Sequence, residues 1–288
     1  MSARRTPGRR GAARLPRATM AVGALAGALA ATGCAGRARP EAALAATRAD
    51  GTVVPLDSTT SEFIVNGLHV IHRANFATDV VAVRLYLLGG SRQLTPATQG
   101  IEALLLRTAE YGTVGYPGAR SREAWGDTGS ELAVAADVDW TLYGFRGIRS
   151  EFDRTWDVFA DRVMRPELAP ANVATVRAKM LTALAQRRTS PDALIFLLAD
   201  SVAYAGHPYA LRPEGTEASL ARLDSAALAH YHASQMVTSR MLLVVVGGVE
   251  RSAVEAAVTR TLAHLPRGDY TWSLPPAAPA PADRSTVT

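Results

Sequence analysis

The chain holds a single cysteine, Cys34, so no disulfide can close within it. Lysine is as scarce: Lys179 is the only one, and arginine carries the rest of the basic charge, which marks composition rather than function. Acidic residues are missing from positions 1–33, where Arg4, Arg5, Arg9, Arg10, Arg14 and Arg17 all fall. That asymmetry explains the net charge of +5, because the remainder of the chain stands at −1. An excess confined to one terminus gives no basic surface for nucleic acid. Long apolar runs are also lacking; the best, Met20–Ala30, is too short and too rich in Ala and Gly for a membrane span. What remains is 288 residues, 48% of them hydrophobic, enough to bury a full core in one or two domains.

The first 33 residues have the layout of an export signal, with a basic stretch ending at Arg17, an apolar stretch, and Ala31-Thr32-Gly33-Cys34 closing it. This closing tetrapeptide resembles a bacterial lipobox, with Ala31 where leucine is commonest. The resemblance implies lipidation of Cys34, which would become the first mature residue and hold the protein to the periplasmic side of a bacterial cell envelope. Residues 34–58 lack periodicity and read as a tether. Past Pro266 the chain turns Pro/Ala-rich, so 269–288 reads as a linker and 59–268 as the folded domain.

Within the domain, Phe63–Val65 and Leu68–Ile71 flank Asn66-Gly67, a strong hairpin signal. Val80–Leu88 alternates apolar residues and predicts a buried strand. A helix is expected over Ile101–Tyr111, with one thick apolar face for a sheet; a loop over 114–128, where Gly115, Pro117, Gly118 and Gly126 cluster; and two strands within Gly129–Tyr143. Helices follow over Glu151–Met164, Pro170–Arg188 and Pro191–Ala203, then an apolar strand over Met241–Val246 and a last helix over Arg251–Leu265.

The stretch Gly100–Thr113 carries the most informative pattern. Its frame resembles the active helix of the insulinase/pitrilysin zinc peptidases, the inverzincins, which reads Gly-x-Ala-His-x-x-Glu-His-x-x-x-x-Gly-Thr. Gly100 and Gly112-Thr113 fall on the frame without a gap. The two histidine positions are then Ala103 and Arg107, and the glutamate position is Leu106. Further likenesses run in family order: the Asn66-Gly67 opening, Asp139/Thr141/Tyr143, the His207-Pro208-Tyr209 turn and the Leu242–Gly248 strand. The asparagine that faces bound peptide in active members is replaced by Ala133, next to Val134 on the expected edge strand.

Inverzincin chemistry needs two histidines one helical turn apart, a glutamate from a later helix as third zinc ligand, and a glutamate to take a proton from water. The family register puts the third ligand at Ala183, 76 residues after Arg107, in Met180–Leu184, which has no carboxylate. The remaining histidines offer no substitute set. His69 and His72 flank a strand end and read as exposed; His230 and His232 are two apart on a helix and point apart; His207 belongs to the structural turn; and His264 stands alone. Glu102 and Glu110 read as solvated or capping carboxylates.

The resemblance implies an α/β domain of the α+β type, a mixed, largely antiparallel sheet with helices packed on it, present as one copy of a unit that the family joins in pairs. It also implies a non-catalytic, membrane-anchored homologue with no cofactor of its own, where active relatives hold zinc. Its expected role is an accessory or peptide-binding subunit beside an active insulinase-type subunit or a separately encoded second half. Two other readings stay open: a zinc endopeptidase whose site is unrecognised, and a truncated product with no independent role.

Overall fold

The computed structural model describes residues 54–55 and 59–277, so Cys34, the leader and the final residues lie outside the described residues. Seven strands form one sheet: β1 (Val54–Pro55), β2 (Thr60–Val65), β3 (Leu68–Ala74), β4 (Val80–Leu88), β5 (Glu131–Ala136), β6 (Trp140–Ile148) and β7 (Met241–Gly247). Their order is β1-β2-β3-β7-β4-β6-β5. Every pairing is antiparallel except β3 with β7. The expected mixed, largely antiparallel sheet is therefore the one found. The short β1 lies in the stretch read from sequence as tether and pairs with Ser61 and Glu62 of β2.

Between β2 and β3, Asn66 and Gly67 both take positive φ, as a two-residue hairpin turn of this twist demands. Alternation then decides which face is buried. Val81, Val83, Leu85 and Leu87 of β4, with Leu243 and Val245 of β7, point to one side and are shut off from solvent. Their neighbours Ala82, Arg84 and Tyr86 stay half-buried on the other. The buried side is covered by α2 (Ala119–Asp127), α3 (Phe152–Met164) and α8 (Arg251–Arg260), through Trp125, Trp156, Phe159, Val254 and Val258.

A second core joins α1 (Ile101–Thr108) to α4 (Pro170–Arg188) and α7 (Ser225–Gln235), through Leu104, Leu105, Val173, Val176 and Leu228. Two helices complete the set, α5 (Pro191–Ala203) and the single turn α6 (Glu217–Leu220). α4 and α5 begin at their prolines, where a missing N–H costs nothing.

Three sequence expectations need correction. Residues 119–127 are helical, not loop: Gly118, at positive φ, precedes α2, and Ser121 and Trp125, one turn apart, anchor it. α1 stops at Thr108 and is buried on nearly all sides instead of presenting one face, because Leu106 enters the sheet core while Ala103, Leu104 and Leu105 enter the helical one. The last helix ends at Arg260, with a separate turn at Leu262–His264.

Candidate functional site

α1 begins at Gly100 because nothing larger fits. Its φ is +91°, and an added Cβ would lie 2.7 Å from the Gly215 Cα. The backbone of 211–216 therefore packs directly on the start of the helix and carries Glu214 to its flank. At the far end, a Cβ on Gly112 would meet the Glu167 carboxylate and the Gly118 backbone nitrogen at 2.6 Å or less. Thr113 is fully buried and bridges to Pro166. The glycine frame thus holds α1 against the chain that follows α3.

Between those glycines, Ala103 and Leu106 are core residues, each under 4% exposed. Arg107 lies at the rim, its side chain 41% exposed, with Nη2 3.4 Å from Glu214 Oε1. The same carboxylate pairs with Arg187, one turn beyond Ala183 on α4. Ala183 itself faces solvent. None of Ala103, Leu106 and Ala183 has a metal-binding atom, and a paired guanidinium stands at the fourth position, so these residues do not fit the zinc ion used by active family members. Among the described residues no cluster of three His, Cys, Asp or Glu has metal-binding geometry.

Glu102 overturns its sequence reading as a solvated or capping group. It is buried, and its carboxylate accepts from Tyr231 Oη at 2.5 Å, Thr141 Oγ1 at 2.5 Å and Arg240 Nη2 at 2.7 Å. Arg240, equally buried, also donates through Nε to the Leu88 carbonyl at 2.7 Å. Burial, reinforced by the Glu102 charge, raises the Tyr231 and Tyr143 hydroxyls above their usual range, so both stay protonated. Arg162 is buried beside Leu106, donating to its carbonyl at 3.1 Å and pairing with Glu110 at 3.2 Å. Burial lowers the pKa of this guanidinium and Glu110 opposes the shift. Glu110 is therefore an ion-pair partner too. The Asp139/Thr141/Tyr143 pattern serves the same scaffold, with Asp139 pairing with Arg92 at 2.8 Å and accepting from Tyr209 Oη at 3.2 Å.

The histidines are dispersed. His72, expected to be exposed, is buried and donates Nε2–H to the Val249 carbonyl at 2.8 Å. His232 donates likewise to Val163 at 2.9 Å, and burial lowers its pKa. His207 accepts from the Tyr209 N–H through Nδ1 and donates through Nε2 to the Pro276 carbonyl at 2.8 Å, so the stretch read as linker is tied down as far as that residue. His230 and His264 are exposed.

Two further features lie around this helix. Among the described residues β5 is the terminal strand of the sheet, with one side unpaired, and Ala133 and Val134 on it are half-buried. Its last residue, Ala136, reaches a cleft of about 710 Å³ between α4, α5 and residues 212–218.

A mixed sheet with a buried helix set against β5 and β6 and framed by Gly100 and Gly112-Thr113 is the architecture of an inverzincin-type peptidase unit. The chain belongs to the insulinase family, peptidase family M16, whose sequence model matches residues 69–217. It is 26% identical over 204 residues to the alpha subunit of the mitochondrial-processing peptidase of Solanum tuberosum, covering 71% of this chain and 40% of the relative. Two solved structures share the fold. The peptidase M16 inactive domain from Pseudomonas fluorescens superposes with a TM-score of 0.70 at 22% identity, over 77% of this chain and 54% of that one. The first half of the periplasmic protease PqqL from Escherichia coli gives 0.68 at 17%, over 77% and 50%. The chain thus spans about half the length of its relatives.

Proposed function

We propose that this protein is a non-catalytic, membrane-anchored member of the insulinase family that acts as an accessory or peptide-binding subunit of an active zinc peptidase. The observation that carries this reading is the set of side chains at the four chemical positions, Ala103, Leu106, Arg107 and Ala183. Two are packed into the core and a third is a paired cation. A leucine cannot take a proton from water, and a guanidinium repels a metal ion. The free edge of β5 supports the binding role, because an extended peptide can add there as a further strand. In this reading Ala133 and Val134 face the peptide, and lipid on Cys34 holds the protein at the periplasmic side of the envelope. The active partner is an insulinase-type subunit with an intact H-x-x-E-H helix, or a separately encoded second half.

The test is metal content together with peptide hydrolysis, measured on the purified chain alone and then mixed with an H-x-x-E-H homologue from the same organism. The expected result is no zinc and no hydrolysis alone, with the homologue's rate or cleavage pattern altered by the mixture. Stoichiometric zinc with chelator-sensitive hydrolysis by the chain alone would overturn the proposal, and so would a homologue indifferent to it.

A further inference from the structure

One carboxylate at the cleft serves two arginines. Glu214 pairs through Oε1 with Arg107, near the end of α1, and through Oε2 with Arg187, near the end of α4. Both guanidiniums stay partly in solvent, and one positive charge of the trio is left over. The trio is held in place, because the close approach of Gly215 to Gly100 fixes the segment that carries Glu214. The other charges lining the cleft cancel. Arg188 pairs with Glu217 at 3.3 Å. Arg212 and Asp200, neither with an ion-pair partner among the described residues, are one of each sign. Leu184, one turn before Arg187 on α4, faces Leu194 and Leu197 of α5 into the same cleft, and all three are half-buried. Ala136, the last residue of β5, lines it too, so a chain added along that edge reaches both the apolar wall and the trio.

We propose that this cleft selects peptides in which an acidic side chain adjoins a large apolar one. The acid is received between Arg107 and Arg187, and the apolar side chain against Leu184, Leu194 and Leu197. This selectivity rests on the peptide-binding role proposed above and adds to it the chemistry of the peptide. A guanidinium keeps its charge at any physiological pH and carries several N–H donors in one plane. Two of them sharing a single carboxylate therefore have donors left for a second. An incoming carboxylate brings the trio to neutrality and gains charge-assisted hydrogen bonds. A lysine or arginine side chain in its place would meet two fixed cations. Discrimination of this kind comes from the repulsive element as much as from the attractive one. A nucleic acid is disfavoured by the same charges, because its successive phosphates would run against Asp200, Glu214 and Glu217.

Fluorescence anisotropy on the full chain tests this with short labelled peptides of one Ser/Thr-rich sequence, holding Leu-Glu, Leu-Gln or Leu-Lys at the centre. The Leu-Glu peptide should bind about tenfold more tightly than Leu-Gln, the worth of one charge-assisted hydrogen bond, and Leu-Lys more weakly than either. Replacing the peptide's leucine by alanine should weaken all three. Arg187→Glu should reverse the order of the Leu-Glu and Leu-Lys peptides, and Arg107→Gln should narrow the gap between Leu-Glu and Leu-Gln. Arg120→Glu, on α2 and outside the cleft, makes the same change of net charge as Arg187→Glu and should leave the order as it is. All three arginines reach solvent, so melts followed by circular dichroism should stay close to the parent's. Peptides bound equally whatever their charge would overturn the selectivity and leave the accessory role standing. An Arg120→Glu effect equal to that of Arg187→Glu would overturn it too, as attraction to the surface at large. Binding of none of the peptides would remove the peptide-binding role and the selectivity with it.

Discussion

Glu102 and Arg240 show how much one buried pair can decide. Each would be expensive to bury alone, and each is satisfied by the other together with Tyr231, Thr141 and the Leu88 carbonyl. Glu102→Ala strands a guanidinium in the interior, and the expected loss is about 3–5 kcal/mol. Replacing both partners with apolar residues of similar size should cost far less, because no charge is left behind. Urea unfolding of the two variants beside the parent separates these outcomes; equal losses would mean that the pair is not coupled. None of this was legible locally. Glu102 sits at the start of a helix, where an acid is ordinary, and its partner lies 138 residues further on. His72 escaped notice for the same reason, since its acceptor is the carbonyl of Val249. Ala103, Leu106 and Arg107, in contrast, follow from the register that the family resemblance of the glycine frame sets along α1, and Ala183 from the family spacing to a later helix.

Among the elements, those bounded by strong punctuation were read to within a residue or two. Pro170 and Pro191 open α4 and α5, and Gly89-Gly90 closes β4. α2 was hidden by glycines that usually break helices; here Gly118 precedes the helix and Gly126 sits in its last turn. Gly100 belongs at this scale too, because it spaces α1 from the 211–216 segment. Gly100→Ala would place a methyl group 2.7 Å from the Gly215 Cα and force the segment outward. The expected cost is about 1–3 kcal/mol, typical of overpacking and of backbone strain at positive φ. The displaced Glu214 should then release Arg107 and Arg187. Hydrogen exchange over 212–218 and the C-terminal turns of α4 reports that release; unchanged protection there, with stability intact, would show that the close approach is not required.

Across the whole molecule, the sheet order sets when the fold can exist. β7 lies between β3 and β4, pairing parallel with one and antiparallel with the other. Among the described residues it is also the last strand made. Until residue 247 has been added, the growing chain holds two partial sheets, β1-β2-β3 and β4-β6-β5, each with an inner strand that lacks its neighbour. Such unpaired edges template association with other chains, and contacts closed over so many residues form slowly. A chain ending at Met236 is therefore expected to show no cooperative melt and to aggregate, where the full chain unfolds in one transition; a soluble, cooperatively melting fragment would contradict this. The seam at β7 is expected to make folding of this sheet all-or-none with respect to synthesis. Any cell that makes this protein must keep some 240 residues from sticking to one another until the final strand closes the sheet.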